Sequence, residues 1–215
     1  MINNKKVIAI IPARGGSKGI PRKNIKVLLG KPLLFWSIKA AKESKYVDRI
    51  IVSTEDSEIA EVSRCFGAEV LSRPKNLAAD TATTISVLKH VIEKIPEADI
   101  VVLLQPTSPV RTGGLIDKAI EKFIKSRADT LATGYICRDY EWGTVNNLPR
   151  QKLKGWFYDD GNIYIHRKDY LERGKWFGKK LEKMIIGKVY NFEIDDEIDF
   201  FIIEALMENY LKINE

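Results

Sequence analysis

Val7-Ile-Ala-Ile-Ile11 runs directly into Pro12-Ala-Arg-Gly-Gly-Ser-Lys-Gly-Ile-Pro-Arg-Lys-Asn24, so that an apolar segment is followed by a glycine-rich basic loop. The apolar segment is typical of a strand that is buried on both faces. Glycines let backbone N–H groups approach an anion, and Arg and Lys side chains neutralise it. Residues 1–31 contain no acid. The pattern predicts a loop that binds a polyphosphate, with candidate contacts Arg14, Gly15, Gly16, Lys18 and Lys23.

Two common phosphate-binding loops do not match this segment. A P-loop needs Gly-Lys-Ser/Thr leading into a helix, whereas Lys18 is followed by Gly19, Ile20 and Pro21. A dinucleotide-binding fingerprint turns directly into a helix, whereas a strand-like segment, Ile25 to Leu29, follows this loop. We therefore expect a long loop that wraps around its ligand.

Composition narrows the class of protein. The 215 residues are 45% hydrophobic and 30% charged, which is ordinary for a globular chain with one sizeable core. The net charge of +6 suits an anionic ligand, but the cations do not form a stripe with aromatics, so nucleic-acid binding is a minor alternative. Cys65 and Cys137 match no metal-binding spacing, and no apolar run suits a signal peptide or a membrane span. These features predict a cytoplasmic protein.

Strand and helix patterns alternate along the first two-thirds of the chain. Strands are predicted at 7–11, 49–53, 69–71, 100–104 and 129–135, and later at 161–166 and 189–194. Helices are predicted at 33–44, 57–67, 84–95, 113–126 and 198–213. This alternation of apolar strands with helices predicts an α/β three-layer sandwich with a mostly parallel, Rossmann-like sheet. Such sheets bind ligands at the carboxyl ends of their strands.

Residues 136–160 interrupt the pattern with aromatic side chains, among them Tyr140 and Trp142. A flexible linker would contain fewer Trp and Tyr residues. We expect a single domain over 1–215 with an inserted arm at about 136–160 that packs against a second subunit.

The segment from Arg73 to Thr84 lies between a predicted strand and a predicted helix and supports two interpretations. Asp80 and the threonines are good helix caps, and capping is the favoured interpretation for Asp80. Alternatively, Arg73 and the hydroxyl groups line a nucleotide base or ribose.

A proline-stiffened polar loop follows the strand at 100–104. An amide, two hydroxyls and a guanidinium offer neutral or cationic hydrogen bonds, which suits a polyhydroxylated acid such as a sugar carboxylate. The candidate contacts are Gln105, Thr107, Ser108 and Arg111.

Two carboxylates near the C-terminus form a candidate metal site. On the predicted strand, Glu193 and Asp195 point to the same face, and Mg²⁺ prefers one or two carboxylates together with substrate phosphates. The acids at 196, 197 and 199 suit the first turn of the closing helix.

With these segments the chain resembles, almost from end to end, the acylneuraminate cytidylyltransferases, the CMP-sialic acid synthetase family. The resemblance implies the nucleotide-diphospho-sugar transferase type of fold with a dimerisation arm. It rests on segments similar to the family's CTP loop (12–24), second nucleotide segment (73–74 and 80–84), sugar-side loop (103–109 with Arg111) and metal motif (194–195 and 199–200).

The resemblance also implies a role for each matching residue. The implied contacts to the triphosphate and cytosine are Arg14, Ser17, Lys18, Lys23 and Asn24. Thr83 and Thr84 would lie by the nucleotide, Gln105 and Thr107 would contact the sugar, and Glu193 and Asp195 would bind Mg²⁺. Arg150 and Tyr164 are implied sugar contacts that the arm donates to a partner subunit of a homodimer.

Two departures from the family stand out. The arm between Ile136 and Pro149 is shorter than usual and lacks a counterpart to the family's sugar-contacting lysine, and Glu193 stands where an Asp is usual. The implied activity is transfer of CMP from CTP to a nine-carbon 2-keto-sugar acid, with Arg14, Lys23 and Asp195 in catalytic roles. Alternatives are CMP-legionaminate, CMP-pseudaminate or CMP-Kdo synthesis, use of another nucleotide, or non-catalytic nucleotide binding.

Overall fold

The computed structural model describes residues 2–17, 19–144 and 148–214. Its strands are β1 (Val7–Pro12), β2 (Val27–Leu28), β3 (Lys31–Pro32), β4 (Arg49–Thr54), β5 (Glu69–Ser72), β6 (Ile100–Leu103), β7 (Thr130–Cys137), β8 (Trp156–Arg167) and β9 (Leu181–Ile185). Its α-helices are α1 (Leu33–Glu43), α2 (Ser57–Cys65), α3 (Thr84–Lys94), α4 (Gly113–Ser126), α5 (Lys168–Glu172) and α6 (Glu197–Asn214). Short 3₁₀ helices lie at Lys23–Ile25, Lys75–Leu77, Arg150–Lys152 and Lys188–Tyr190.

Seven strands form one sheet in the order β5-β4-β1-β6-β8-β7-β9. Strand β8 runs antiparallel to both of its neighbours, and the other pairs are parallel. The central strand β1 is fully buried from Val7 to Ile11, as its continuous apolar sequence predicts. The mostly parallel α/β architecture is therefore confirmed.

Helices cover both faces of the sheet and make the three predicted layers. On one face, apolar residues of α1, α2 and α4 pack against Val7, Ala9 and Ile11. On the other, α3 and α5 pack against Ile8 and Ile10. Because neighbouring residues of a strand point to opposite faces, β1 contributes to both core layers.

The predicted strand at 189–194 is wrong. A 3₁₀ helix occupies Lys188–Tyr190, and the segment is held by single contacts instead of strand pairing: the side chain of Asn162 on β8 donates from Nδ2 to Tyr190 O, and Ile194 N donates to Thr107 O. The last strand is β9, an edge strand parallel to β7. Its sequence mixes charged and apolar residues, so its pattern carries no clear strand signal.

The predicted arm corresponds to the outer part of β7 and β8 and to the connection between them. The two strands pair as an antiparallel ribbon as far as Cys137 and Trp156. Several aromatic side chains of this region are exposed, and Trp142 is 95% exposed. Its role in dimerisation stays a prediction.

Two expectations from composition have structural counterparts. Among the described residues, the helices are all too short or too polar to cross a bilayer. Both cysteines are free thiols; Cys65 is exposed at the end of α2, and Cys137 is buried at the end of β7.

Candidate active site

A cleft of about 310 Å³ opens at the carboxyl ends of β1, β5 and β6. This is the edge at which parallel sheets bind ligands. The segments that follow these three strands all contribute to it, as the sequence predicts. The predicted site residues that line it are Arg14, Ser17, Lys23, Asn24, Arg73, Asp80, Thr84, Gln105 and Thr107.

The first loop and the segment after β5 meet across this cleft. Arg14 Nη1 donates to Asp80 Oδ1 at 2.8 Å, and Asn24 Nδ2 donates to Arg14 O at 2.8 Å. The predicted cap role of Asp80 is therefore wrong: the side chain of Thr83 caps α3 by accepting from Ser86 N. Asp80 lies too far before the first helical residue to reach its free N–H groups.

Acidic residues that are not among the predicted site residues hold the first loop in place. Gly15 N donates to Glu55 Oε1 at 2.7 Å, so this N–H is already paired. A side chain at Gly15 would begin 2.5 Å from Asp56 Oδ2, which explains the glycine. Arg22 forms ion pairs with Asp56 and Glu58, and its guanidinium holds the pKa of Asp56 below the usual range. Asp56 also caps α2, because its side chain accepts from Ile59 N.

Two further residues of this loop, Gly16 and Lys18, are predicted phosphate contacts. Among the described residues, a side chain added at Gly16 would meet no atom within 4 Å, so their packing does not require this glycine. Lys18 lies outside the described residues.

Arg73 forms part of the cleft floor but bonds to the framework. It is 6% exposed, Nε donates to Ser53 Oγ at 3.2 Å, and Nη2 donates to Ser53 O. Burial lowers the pKa of its guanidinium, which the negative charge of Glu55 opposes. Arg73 therefore connects the end of β5 to β4 and places a positive charge at the floor of the cleft.

In the loop after β6, two predicted ligand contacts are buried in the protein. Arg111 donates to Ser37 Oγ and Asn162 Oδ1, both at 2.9 Å, and to Gln105 O at 3.1 Å. Burial lowers the pKa of Arg111, and the charge of Asp160 opposes the shift. The guanidinium therefore braces the loop instead of facing the cleft.

Ser108 is also fully buried, whereas its neighbours in this loop reach the ligand side. Its hydroxyl group lies 3.4 Å from Glu193 Oε1, to which it donates. Gln105 and Thr107 line the cleft.

The acidic segment joins the same cleft from the side of the first loop. Lys23 Nζ donates to Ile194 O at 2.7 Å. A side chain at Gly19 would overlap the carbonyl oxygen of Asp195, so glycine allows a close approach there. Burial lowers the pKa of Lys23, and the charge of Asp195 opposes this shift. Basic loop and acidic segment are therefore in direct contact although they are far apart in sequence.

Glu193 is the most perturbed carboxyl group of the site. Burial, followed by the charges of Asp195 and Asp160, raises its pKa to about 7. Among the described residues, no cluster of three or more His, Cys, Asp or Glu side chains is arranged to hold a metal ion. Glu193 and Asp195 are only two carboxylates. Such a pair suits Mg²⁺ when substrate phosphates supply the further ligands.

Neither of the two residues predicted to be donated by the arm lines this cleft. Tyr164 is buried on β8 between β6 and β7, and its hydroxyl group donates to Asp159 Oδ2 at 2.7 Å. This placement corrects the prediction that Tyr164 reaches a partner subunit, because the residue is part of its own sheet. Arg150 is exposed and pairs with Asp139 beside a separate pocket of about 690 Å³. Its contact with a partner's ligand stays a prediction.

Curated relatives match most of this chain. An N-acylneuraminate cytidylyltransferase of Escherichia coli O18:K1:H7 is 32% identical over 217 residues, covering 91% of this chain and 50% of that protein. A CMP-N,N'-diacetyllegionaminic acid synthase of Legionella pneumophila is 31% identical, covering 94% of this chain and 97% of that protein. The chain thus spans about half the length of several N-acylneuraminate cytidylyltransferases that it matches and nearly all of the Legionella protein.

A solved structure and a family model agree with these matches. The structure of a CMP:2-keto-3-deoxy-manno-octonic acid synthetase complexed with CTP superposes with a TM-score of 0.79 at 16% identity, covering 96% of this chain and 100% of that one. This likeness confirms the fold. The family model described as Cytidylyltransferase matches residues 8–206, which include the whole cleft and the acidic segment. The chain therefore belongs to the cytidylyltransferase family.

Proposed function

We propose that this protein transfers CMP from CTP to a nine-carbon 2-keto-sugar acid, an N-acylneuraminate or a close relative, and releases pyrophosphate. The observation that carries the proposal is the contact between the basic loop and the acidic segment at one cleft, through Lys23 Nζ and Ile194 O. A triphosphate and its counter-cation need these two kinds of group together. The names of the E. coli and Legionella relatives support the substrate class.

In the proposed reaction, the anomeric hydroxyl group of the sugar acid attacks the α-phosphorus of CTP in line, and pyrophosphate leaves. Such transfers are accelerated mainly by positioning and by neutralisation of charge. Arg14 and Lys23 are placed to neutralise the triphosphate, and Asp80 holds the Arg14 guanidinium at the cleft. Gln105 and Thr107, on the wall formed by the loop after β6, would orient the sugar acid.

The residues at the nucleotide end divide into ligand contacts and supports. Ser17, Asn24 and Thr84 line the cleft, so they are proposed to face CTP. Thr83 and Arg73 support the site instead, because the first caps α3 and the second bonds to β4.

A divalent cation, which we propose to be Mg²⁺, would be held by Glu193 and Asp195. The donor set fits, because both are hard oxygen ligands and a cation next to Glu193 would stabilise the charged form that burial and the charges of Asp195 and Asp160 disfavour. When bound, the cation would neutralise charge that develops on the leaving pyrophosphate.

We also propose a cytoplasmic homodimer in which the arm reaches the partner's sugar site. The exposed aromatics of the β7–β8 ribbon support an interface there, because large exposed apolar patches mark interaction sites. Arg150, exposed on the same region, is the proposed sugar contact in trans.

A legionaminate, another nonulosonate or Kdo is the alternative acceptor. Coverage of the Legionella protein along 97% of its length favours the legionaminate among these. Non-catalytic nucleotide binding is disfavoured, because a binder would need neither the acidic pair nor the contact between Lys23 and the acidic segment.

The test is pyrophosphate release by the purified protein from each of the four nucleoside triphosphates, with a panel of nonulosonic acids and Kdo. We expect release from CTP with a nine-carbon acid and none without an acceptor. Release only with Kdo, or only from another nucleotide, would replace the proposal with the corresponding alternative. Absence of release with every pair, in a folded protein that binds CTP, would indicate a binding protein.

A further inference from the structure

A bulge in β8 brings the arm ribbon to the edge of the cleft. Ala132 of β7 pairs with Tyr164, but Gly134 pairs with Asp159, so residues 160–163 lie opposite Thr133 alone. Thr133 Oγ1 donates to Asp160 Oδ1 at 2.7 Å and accepts from Ile163 N at 3.0 Å. A bulge bends its strand and redirects side chains, so this region is a built feature of the sheet.

Gly161 lies in this bulge and faces two residues of the proposed site. Its φ is +66°, in the left-handed region that favours glycine. A side chain at this position would overlap Glu193 Oε1 and would begin 2.7 Å from Gln105 Oε1. The carboxylate of Glu193 and the amide of Gln105 are therefore neighbours in the space that a side chain at 161 would fill.

We infer that Gly161 is a positioning residue, which seats Glu193 and Gln105 side by side at the end of the cleft. The inference rests on the proposed function, in which Glu193 holds the cation and Gln105 the sugar acid. Because the cation would neutralise phosphate charge and the amide would orient the attacking hydroxyl group, their closeness matters for the reaction. Gly161 acts through these two side chains and needs no contact with the ligands.

Gly161→Ala tests the inference, with Gly174→Ala as the matched control. Gly174 has a φ of +67°, and a side chain there would meet no atom within 4 Å. Both substitutions place alanine at nearly the same positive φ, and only Gly161→Ala adds the overlap with Glu193. We expect Gly161→Ala to lower kcat by about 100-fold and to weaken Mn²⁺ binding, measured by electron paramagnetic resonance with CTP present. Gly174→Ala should retain both; equal effects of the two substitutions would overturn the inference.

A double-mutant cycle with Glu193→Ala separates positioning from strain. Removal of the Glu193 side chain removes the overlap, so Gly161→Ala should lower the melting temperature less in that background than in the wild type. Glu193→Asp retracts the carboxylate by one methylene group, and we expect it to restore part of the kcat that Gly161→Ala loses. Equal losses from Gly161→Ala in both backgrounds would contradict a role through Glu193.

Wild type, Gly161→Ala, Glu193→Ala and the double variant also distinguish this inference from the proposed function. If the wild type releases no pyrophosphate with any acceptor, the proposed function fails. The coupling between Gly161 and Glu193 is then measured by the melting temperatures of wild type, both single variants and the double variant. Non-additive melting temperatures support the seating of Glu193 by Gly161, and additive ones overturn it.

Discussion

The loops on the two sides of the cleft use their arginines in opposite ways. In the loop at 13–24, the Arg14 side chain is 35% exposed and reaches Asp80 across the cleft. In the loop at 104–111, Arg111 is 7% exposed and its guanidinium bonds to the framework. The same residue type, placed after a buried strand in both loops, therefore faces the cleft in one and supports the fold in the other.

The attachments of the two loops differ in the same direction. The first loop is tied to α2 by the ion pairs of Arg22, whose partners are partly exposed, and such pairs contribute about 0–1 kcal/mol each. The second is braced by a buried charge with several hydrogen bonds, and loss of such a group costs about 3–5 kcal/mol. The loop after β6 is therefore held more firmly than the first loop, and we expect the first loop to adjust more when a ligand binds.

Replacing the arginine by methionine in each loop tests this comparison most directly. Arg111→Met should have the larger effect on stability. The acceptors Asn162 Oδ1 and Ser37 Oγ would lose their donor, and Asp160 would lose a nearby positive charge. We expect the free energy of unfolding to fall by about 3 kcal/mol or more. Chemical denaturation measures it, and a fall below about 1 kcal/mol would show that Arg111 is not a brace.

Arg14→Met is the matched substitution on the other side. Because Arg14 is proposed to neutralise the triphosphate, we expect kcat/KM for CTP to fall by about 100-fold, equivalent to about 2.7 kcal/mol. Its pair with Asp80 is partly exposed, so the free energy of unfolding should change by less than about 1 kcal/mol. Steady-state kinetics and denaturation of the same samples give both values; near-normal turnover would remove Arg14 from the proposed mechanism.

Much of the fold and cleft follows from local sequence. Continuous apolar strands such as β1 and the glycines of the first loop predict a parallel sheet with an anion site at its carboxyl edge, and the structure confirms both the sheet and the cleft position. The predicted cap at Asp80 is wrong and the threonine alternative is correct, because Asp80 and Thr83 are both good caps and the choice depends on the residue at which α3 begins.

Burial and long-range pairing account for what the sequence does not predict. Arg111 and Tyr164 are polar residues in plausible ligand segments, but pairing of β8 with β6 buries Tyr164, and Arg111 is buried where it bonds to Ser37 of α1 and Asn162 of β8. The hold that Glu55 and Asp56 have on the first loop joins residues about 40 positions apart, which no local pattern records. The sequence pattern does not predict strand β9, because an edge strand does not need a continuous apolar sequence.

The pH dependence of stability should sharpen the contrast, because Glu193, which accepts a hydrogen bond from Ser108 of the loop after β6, has a raised pKa. The pKa of Glu193 rises from 4.5 to about 7 on folding, mainly through burial. Its protonated form is therefore favoured in the folded state, so the stability it contributes is full below pH 4.5 and is lost as pH rises to about 7. At most this is roughly 3 kcal/mol, since one pKa unit corresponds to about 1.4 kcal/mol.

Denaturation of wild type and Glu193→Gln between pH 4.5 and 8, with EDTA present, measures this loss. Gln cannot ionise, so the variant should lose less stability than wild type over this interval, and the two curves should diverge with rising pH. Parallel curves would show that Glu193 titrates as in the unfolded chain.

The smallest effect is expected where the first loop meets α2. Asp56→Ala removes the helix cap and the pair with Arg22, which together should cost about 1–2 kcal/mol of unfolding free energy. Glu58→Ala is the matched control, because it removes the other, more exposed partner of Arg22 without touching the cap and should cost less than about 1 kcal/mol. The kinetics of the same variant test whether the first loop adjusts to its ligand. If it does, Asp56→Ala should raise KM for CTP more than it lowers kcat, because a loosened loop is ordered again at the expense of binding energy. A fall in kcat with unchanged KM would instead indicate that the first loop is preformed like the loop after β6, and the two sides of the cleft would no longer differ in the way proposed.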